Sequence, residues 1–233
     1  MPSEQKTFLV SGVTSGMGKA FAQLIQAKGH NLIVLVRNKA SIEDFNYERI
    51  IELDYAQPDR VEATFNNFKT KIDCFVNFAG LLPGKSYDEY DHQSLTELMN
   101  INVISPSLII KSIVPYIKET GSIILLGSVS AQKGSYDDAY AASKGAIHSL
   151  VKSLALKLAP KIRVVGIAPA LCNNTRMTEE LVPGRYQHNL ETIPLKQAAE
   201  VEDIAQITYF LSSDSSKFIT GSMIDINGGQ YLR

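Results

Sequence analysis

The chain has 233 residues and a formal net charge of −1, and 45% of its residues are hydrophobic and 20% are charged. This composition excludes a disordered chain, which would have fewer apolar residues and more net charge, and it provides no basic surface of the kind that binds nucleic acid. We expect no membrane span and no signal peptide, because no uninterrupted apolar run reaches ~18 residues and no basic leader precedes one. The two cysteines, Cys74 and Cys172, have no metal-binding or redox spacing, which favours a reduced, cytoplasmic protein.

Short runs rich in Val, Ile and Leu recur along the chain and predict strands that are buried on both faces. The predicted strands are TFLVS (7–11), NLIVLV (31–36), RIIELD (49–54), DCFVNF (73–78), GSIILLG (121–127), IRVVGIA (162–168) and SMIDI (222–226). Apolar residues recur with helical period between them, most clearly over 17–25, 94–118 and 139–159. This alternation predicts an α/β fold: a doubly wound parallel sheet of about seven strands with helices on both faces.

The domain organisation follows from what interrupts this alternation. No internal repeat, low-complexity tract or linker divides the chain, so we expect a single domain over residues 1–233. The connection at 37–48 has room for a helical turn but not for a full helix. Residues of about 169–200 contain three prolines and little periodicity, which is typical of a functional lid or a substrate-binding loop.

A glycine-rich turn joins the first predicted strand to the first predicted helix. Gly12, Gly16 and Gly18 follow Ser11 with the spacing GxxxGxG. Such glycines let the backbone approach a pyrophosphate, and the helix that follows offers free N–H groups to the anion. The alternative is a turn that serves only to reverse the chain.

The residue at the end of the second strand distinguishes two dinucleotides. An acidic side chain there accepts a hydrogen bond from the ribose 2′-OH of NAD, whereas a basic one suits the 2′-phosphate of NADP. The sequence offers Arg37 and Asn38 and no acid at this point, which predicts NADP(H) in preference to NAD(H). An ordinary surface arginine is the alternative interpretation of Arg37.

Tyr140 and Lys144 are four residues apart on a predicted helix, which places them on the same face. A tyrosine with its usual pKa of ~10 is a poor acid near neutral pH. A nearby ammonium would lower that pKa, so we expect the pair to exchange protons with a substrate. By itself the spacing is also compatible with an exposed tyrosine and lysine.

Together these motifs resemble the short-chain dehydrogenase/reductase family, in its compact single-domain branch with a Rossmann-like fold. The resemblance extends over the whole chain. Within the family the chain most resembles the 3-oxoacyl-acyl-carrier-protein reductases, and the similarity is clearest in the C-terminal third. It rests on the glycine turn, the element Asn77-Phe78-Ala79-Gly80, Asn102, Ser128 twelve residues before Tyr140, the YxxxK motif and the ending Asn227-Gly228-Gly229. The chain departs from the family pattern at Phe78, Val165 and Ala170.

The resemblance implies four catalytic residues. Tyr140 would be the acid/base, Ser128 would orient the substrate carbonyl, and Lys144 would lower the tyrosine pKa and bind the nicotinamide ribose. Asn102 would hold a water in a proton relay. Asn100 and Ser130 are the competing candidates for Asn102 and Ser128.

The resemblance also implies a nicotinamide-cofactor site and no metal. Its residues would be Gly12, Ser15, Gly16, Met17, Gly18, Arg37, Asp54, Asn77, Ala79, Gly80, Tyr140, Lys144, Pro169 and Thr175. Asp54 would lie beside the adenine ring, or would only cap a turn. Asp137 and Asp138 would cap the catalytic helix or border the pocket.

The function so implied is that of an NADPH-dependent carbonyl reductase, also able to run as an alcohol dehydrogenase. Its substrate would be a small ketone or secondary alcohol, including a carrier-bound 3-oxoacyl thioester, and the chain would form a homo-oligomer, either a tetramer or a dimer. Two alternatives are a non-catalytic NADP(H)-binding sensor or scaffold and an unrelated Rossmann-like protein such as a methyltransferase. The four histidines are scattered without metal-ligand spacing.

Overall fold

A single parallel sheet organises the protein in the computed structural model, which describes residues 4–14, 16–42 and 46–232. Its strands are β1 (Thr7–Ser11), β2 (Asn31–Val36), β3 (Arg49–Glu52), β4 (Ile72–Asn77), β5 (Ile117–Leu126), β6 (Ile162–Pro169) and β7 (Met223–Ile226). They are hydrogen-bonded in the order β3-β2-β1-β4-β5-β6-β7, and every pair is parallel. The predicted α/β fold with seven parallel strands is confirmed.

Helices cover both faces of the sheet. They are α1 (Gly16–Ala27), α2 (Val61–Phe65), α3 (His92–Met99), α4 (Ser105–Ile113), α5 (Ser130–Lys133), α6 (Asp138–Leu158), α7 (Arg176–Glu179), α8 (Arg185–Thr192) and α9 (Val201–Ser212). Buried side chains of α1 and α9 pack in one apolar cluster, and those of α2, α4 and α6 pack in another. The doubly wound arrangement predicted from the alternation is therefore present.

The central strand β1 shows why these strands are continuous apolar runs. Phe8 and Val10 belong to the cluster beneath α1 and α9, whereas Leu9 belongs to the cluster on the opposite face. All three are fully buried. Because successive side chains of a strand point to opposite faces, a strand covered on both sides cannot alternate with polar residues.

The segment predicted as a helix over 94–118 is a series of helical pieces. A π-helical turn, Asn100–Ile104, joins α3 to α4, and a 3₁₀ turn, Val114–Tyr116, follows them. The helical stretch His92–Tyr116 is long enough to cross a membrane, and an 18-residue window within it has a mean hydropathy of 1.3. Polar residues such as Asn100, Asn102 and Ser105 interrupt the apolar run in this stretch, but the mean hydropathy of the window stays high. Core helices share this property: Leu98, Ile109 and Ile113 are fully buried, and the two isoleucines belong to an apolar cluster with strands of the sheet.

The two irregular connections differ in length and content. The 37–48 connection holds one 3₁₀ turn, Lys39–Ser41, as its length predicts, and residues 43–45 lie outside the described part. The 169–200 segment contains α7 and α8 and has an apolar cluster of its own around Leu171, Ile193 and Ala198. It is therefore better structured than its sequence indicates.

Candidate active site

The candidate residues meet at the carboxyl ends of the central strands. Side chains and turns that follow β1, β4, β5 and β6 converge there, because parallel strands end at the same edge of a sheet. The edge of an open parallel sheet where the strand order reverses is the usual binding crevice of such folds, and β1 and β4 flank that point here.

The glycine turn after β1 packs closely against its neighbours. Gly12 has a φ of +73°, and a Cβ at this position would lie 2.8 Å from the backbone N of Ala79. A Cβ on Gly18, in the first turn of α1, would overlap the carbonyl of Gly12. Both positions therefore require glycine if the strand, the turn and the helix are to approach this closely.

The amino end of α1 lies at this turn. This helix has twelve residues and no acidic residue in its first turn, so no side chain of that turn neutralises the positive end of the helix dipole. Met17 packs beside the α1-side core, and Ser15 lies outside the described residues. The arrangement suits an anion such as a pyrophosphate.

The turn after β4 is held by a buried hydrogen-bond network. Asn77 accepts through Oδ1 from Ser11 Oγ at 2.9 Å and from the Tyr55 hydroxyl at 3.0 Å, and its Nδ2 donates to the carbonyl of Ala79. The Ala79 N–H in turn donates to Ser11 Oγ at 3.2 Å. Asn77 is thus a support that fixes Ala79 and Gly80. Tyr55 has the same role, and no sequence signal identified it.

Lys144 is buried next to this turn. Its Nζ donates to the carbonyl of Leu126 at 2.9 Å, and only 1% of the residue is exposed. A Cβ on Gly80 would lie 3.3 Å from this Nζ and 3.5 Å from Asn102 Oδ1, so the glycine keeps open the space between the two side chains. Burial lowers the pKa of Lys144 to about 8.

Asn102 lies in the π-helical turn and is also buried. Its Oδ1 accepts from the Leu81 N–H at 2.8 Å, and its Nδ2 donates to the Leu81 carbonyl at 2.9 Å and to Ser143 Oγ at 3.0 Å. Its competitor Asn100 donates instead to the carbonyl of Ala56. The geometry therefore favours Asn102 as the asparagine of the site.

Ser128 and Tyr140 form the remaining pair. Ser128 Oγ accepts from the backbone N–H of Ser130 at 3.1 Å and lies beside the Tyr140 side chain. Ser130 thus supports Ser128 through its backbone and opens the short helix α5. Both Ser128 and Tyr140 are 7% exposed, so the pair is accessible from one direction only.

The acidity of Tyr140 differs from the sequence expectation. Burial raises the pKa of Tyr140 to about 12, against the opposing effect of the neighbouring Ser128 hydroxyl. Lys144 Nζ lies 5.7 Å from the centre of the Tyr140 ring and donates to Leu126, and at this distance its charge does not outweigh the desolvation of the phenol. In the chain without a cofactor, Tyr140 is therefore a protonated acid.

Two predicted cofactor residues lie at the rim of the site. Arg37 is exposed directly after β2, and within the described residues no hydrogen bond or ion pair engages its guanidinium. Asp54 follows β3, where Oδ1 accepts from the Ala56 N–H at 3.0 Å and Oδ2 from Gln57 Nε2 at 3.4 Å. Asp54 therefore has the turn-capping role that was its alternative interpretation.

The other two, Pro169 and Thr175, come from the end of β6 and the segment after it. Pro169 is buried and accepts from the Val129 N–H at 3.1 Å, beside Ser128. Thr175 caps α7, and its Cγ2 would lie 3.2 Å from a Cβ on Gly16. The structure thus places Thr175 against the glycine turn.

Comparison with known proteins agrees with this geometry. A family model described as "Enoyl-(Acyl carrier protein) reductase" matches residues 12–230. The chain belongs to the short-chain dehydrogenase/reductase family. It is 32% identical to the 3-oxoacyl-acyl-carrier-protein reductase FabG of Buchnera aphidicola subsp. Baizongia pistaciae, over the full length of both chains. It is 28% identical to the uncharacterized oxidoreductase YmfI of Bacillus subtilis, over 96% of this chain and 98% of that one.

A solved short-chain dehydrogenase from Francisella tularensis subsp. tularensis has the same fold. It superposes with a TM-score of 0.88 at 30% identity, covering 97% of this chain and 98% of its own. This short-chain dehydrogenase/reductase is therefore an oxidoreductase that acts on CH–OH or C=O groups, and its family uses a nicotinamide cofactor. Family membership excludes the methyltransferase alternative and disfavours the sensor.

One further side chain of this short-chain dehydrogenase/reductase lies near Gly80. Met177 Cε, on α7, would lie 3.9 Å from a Cβ on Gly80. No sequence pattern marks this methionine, because its position depends on how the 169–200 segment folds back over the turn. It extends the apolar covering of the site beyond the predicted residues.

Cys172 and His30 of this short-chain dehydrogenase/reductase are both buried. Burial raises the pKa of the Cys172 thiol to about 12, which removes it as a nucleophile. His30 accepts from the Lys6 N–H at 3.2 Å and is bonded to the Tyr209 hydroxyl. Among the described residues, no group of three His, Cys, Asp or Glu side chains could hold a metal ion.

Proposed function

We propose that this chain is an NADPH-dependent carbonyl reductase that also oxidises secondary alcohols, with Tyr140 as its proton donor. The observation that carries the proposal is the buried group formed by Ser128, Tyr140, Lys144 and Asn102 at the carboxyl edge of the sheet. A binding protein without turnover could use Lys144 to hold a ribose, but it would have no use for the two buried hydroxyl groups of Ser128 and Tyr140 beside it, because burying polar groups is costly.

The residues present fit a nicotinamide dinucleotide. Gly12 and Gly18 remove the side chains that would fill the turn, and α1 offers its amino end to the pyrophosphate. Gly80 leaves room next to Lys144 for a ribose. When bound, the cofactor supplies the hydride that reduces the carbonyl carbon.

The chain's own residues then control the proton. Ser128 Oγ donates to the substrate oxygen, where negative charge develops. The Tyr140 hydroxyl transfers its proton to that oxygen, which completes the alcohol. Lys144 stabilises the phenolate that remains, and Asn102 fixes the route by which a proton returns. In the oxidative direction the same groups act in reverse.

The substrate class is the finer part of the proposal. Relatives named 3-oxoacyl-acyl-carrier-protein reductase support a 3-oxoacyl thioester, either free or carrier-bound. The trans-4-hydroxycyclohexanecarboxylate dehydrogenase of Sinomonas cyclohexanicum, 32% identical over 97% of this chain, supports cyclic secondary alcohols. We further propose that the catalytic unit is one domain over 1–233, with 169–200 as its substrate loop.

We also propose a cytoplasmic homo-oligomer. Leu95 and Ile104, on the helical stretch 92–116, are each about two-fifths exposed, and Leu156 on α6 is 86% exposed. Apolar side chains on two long neighbouring helices are typical of a surface that a second copy covers. A tetramer or a dimer packed through these helices would bury them.

A panel of carbonyl compounds tests the proposed function. Consumption of NADPH is followed with an acetoacetyl thioester, diketones, cyclic ketones, quinones and a keto-sugar. Turnover of at least one compound supports a reductase, and the preferred compound defines its substrate class. Tight NADPH binding without turnover of any compound would instead support the sensor.

Arg37→Ala tests the cofactor preference. Removing the guanidinium is expected to raise the KM for NADPH by about 10-fold or more and to leave the KM for NADH within about twofold, because only NADPH carries the 2′-phosphate. Steady-state kinetics with each cofactor measure the two values. Arg176→Ala is the matched control, since Arg176 is an exposed arginine already paired with Glu180. Equal losses for both cofactors would remove the argument for NADPH.

The pH dependence of reduction tests Lys144. Burial places its pKa at about 8, whereas the pKa of Tyr140 is about 12. Because the ammonium must be present to bind the ribose and return a proton, kcat/KM for NADPH is expected to be level below pH 7 and to fall above pH 8. In Lys144→Arg, whose guanidinium stays charged, the residual activity should show no such decline. If kcat/KM still fell above pH 8 in Lys144→Arg, the decline would come from the titration of a group other than Lys144.

A further inference from the structure

Asp137, just before the catalytic helix, is a fully buried carboxylate with four hydrogen-bond donors. Its Oδ1 accepts from the Tyr140 N–H at 2.8 Å and from the Tyr90 hydroxyl at 2.7 Å. Its Oδ2 accepts from the backbone N–H groups of Gly84 at 3.0 Å and Lys85 at 3.2 Å. Within the described residues it forms no ion pair with a Lys or Arg side chain.

This pattern exceeds what a helix cap requires. An N-cap needs one oxygen to satisfy one or two amides at the start of a helix. Asp137 caps α6 through Oδ1, which accepts from the Tyr140 N–H. Its Oδ2 accepts from Gly84 and Lys85, which lie in a different segment. Burying a carboxylate costs free energy because the charge loses its water, and hydrogen bonds to the carboxylate offset that cost. The bonds to Gly84 and Lys85 therefore attach that segment firmly to the start of α6.

The connection joins two sides of the active site through residues 81–90. This segment begins at Leu81, which Asn102 holds through both its backbone N–H and its carbonyl. It ends at Tyr90, whose hydroxyl donates to Asp137. Asp137 itself lies three residues before Tyr140 in the chain. Gly84, midway along it, also lies near the Tyr136 hydroxyl, which a Cβ at Gly84 would approach to 3.7 Å.

We propose that Asp137 is a positioning residue that fastens the 81–90 segment across the substrate side of the active site. The segment bridges the asparagine and tyrosine ends of the buried group, so its position sets the shape of the space that the carbonyl compound enters. The inference rests on the proposed role of Tyr140. It assigns Asp137 to substrate binding, not to the chemical step.

Asp137→Asn separates the two functions of the carboxylate. With its oxygen in the Oδ1 position, the asparagine still caps Tyr140 and still accepts from Tyr90. Its amide nitrogen then meets the N–H groups of Gly84 and Lys85, so donor faces donor and this attachment is lost. We expect the KM for the carbonyl substrate to rise by about 10-fold, with kcat within about threefold and the KM for NADPH unchanged.

Tyr90→Phe is the second variant, since it removes one donor and leaves the carboxylate and its helix cap in place. We expect a smaller increase in the same KM, about threefold. If Asp137→Asn fails to fold, this variant decides the question. Asp91→Asn is the matched control, because Asp91 caps α3 through the same kind of bond to the Ser94 N–H but is exposed. Its kinetics should equal those of the parent.

Hydrogen–deuterium exchange gives a readout that is independent of turnover. In Asp137→Asn the amides of Gly84 and Lys85 should exchange at least about tenfold faster, while the Tyr140 amide stays protected. A carbonyl KM within twofold of the parent in the folded variants would overturn the inference, as would a parallel rise in the KM for NADPH. Failure of the proposed function would look different, since the parent itself would then reduce no carbonyl compound.

Discussion

Tyr140→Phe is expected to reduce turnover by about 10²–10⁴-fold, because it removes the proton donor and nothing else from the site. The ring keeps its packing, and 7% exposure leaves little water to replace the hydroxyl. Cofactor affinity should change by less than about threefold, as Lys144 and the glycine turn are untouched. Turnover is measured with the preferred compound of the carbonyl panel, and binding is measured by NADPH fluorescence.

A matched tyrosine controls for the loss of a buried hydroxyl. Tyr55 is also 7% exposed, and its hydroxyl donates to Asn77 Oδ1. Tyr55→Phe should lower stability modestly, by about 1 kcal/mol for a lost hydrogen bond, and should keep most of the turnover. If Tyr140→Phe reduced carbonyls at the parental rate, the assigned proton donor would be wrong.

Gly12→Ala is expected to abolish cofactor binding and to destabilise the fold. The added Cβ would lie 2.8 Å from the Ala79 N and from the Phe78 carbonyl carbon, so the turn must move away from β4. The positive φ adds about 1–2 kcal/mol for a non-glycine residue, and the overpacking adds about 1–3 kcal/mol. Denaturant unfolding and NADPH titration measure the two effects.

Gly29→Ala separates the clash from the backbone strain. Gly29 has a φ of +75°, almost equal to the +73° of Gly12, but a Cβ there would meet no atom within 4 Å. It follows the carboxyl end of α1, whereas the glycine turn lies at the amino end of that helix. This variant should show the strain alone, with NADPH binding unchanged. If both variants lowered the free energy of unfolding equally, the close approach of Gly12 to the turn after β4 would contribute nothing to the destabilisation.

The strands of the sheet could be predicted from the sequence, but the breaks and irregular turns within the helices could not. Strands buried on both faces leave a continuous apolar run, and every predicted strand lies within three residues of an observed one except the start of β5. That strand begins at Ile117 because it extends through Lys118 and Glu119, which face solvent and carry no apolar signal. The π-helical turn around Asn102 was not predictable, since a single turn of i→i+5 hydrogen bonds inside a helical stretch has no residue type that marks it.

The candidate site was predictable where chemistry requires a particular residue type at a particular spacing. Tyr140, Lys144 and Ser128 meet as their spacing implies, and their roles stay predictions. The pKa of Tyr140 was expected to fall and instead rises to about 12, because desolvation is a property of the folded surroundings and not of spacing. Asp137 was recognised as a cap, but its second set of donors comes from residues about fifty positions away and leaves no local signal.

The 169–200 segment has an apolar cluster separate from the two that hold the sheet. Leu171, Ile193 and Ala198 pack together with side chains of their own segment, whereas the strands pack against α1, α6 and α9. Substitutions within this cluster can therefore reshape the segment while the sheet and the glycine turn retain their stability. A lineage of such enzymes can acquire new substrates through this cluster while Thr175 and Met177 keep their places against Gly16 and Gly80.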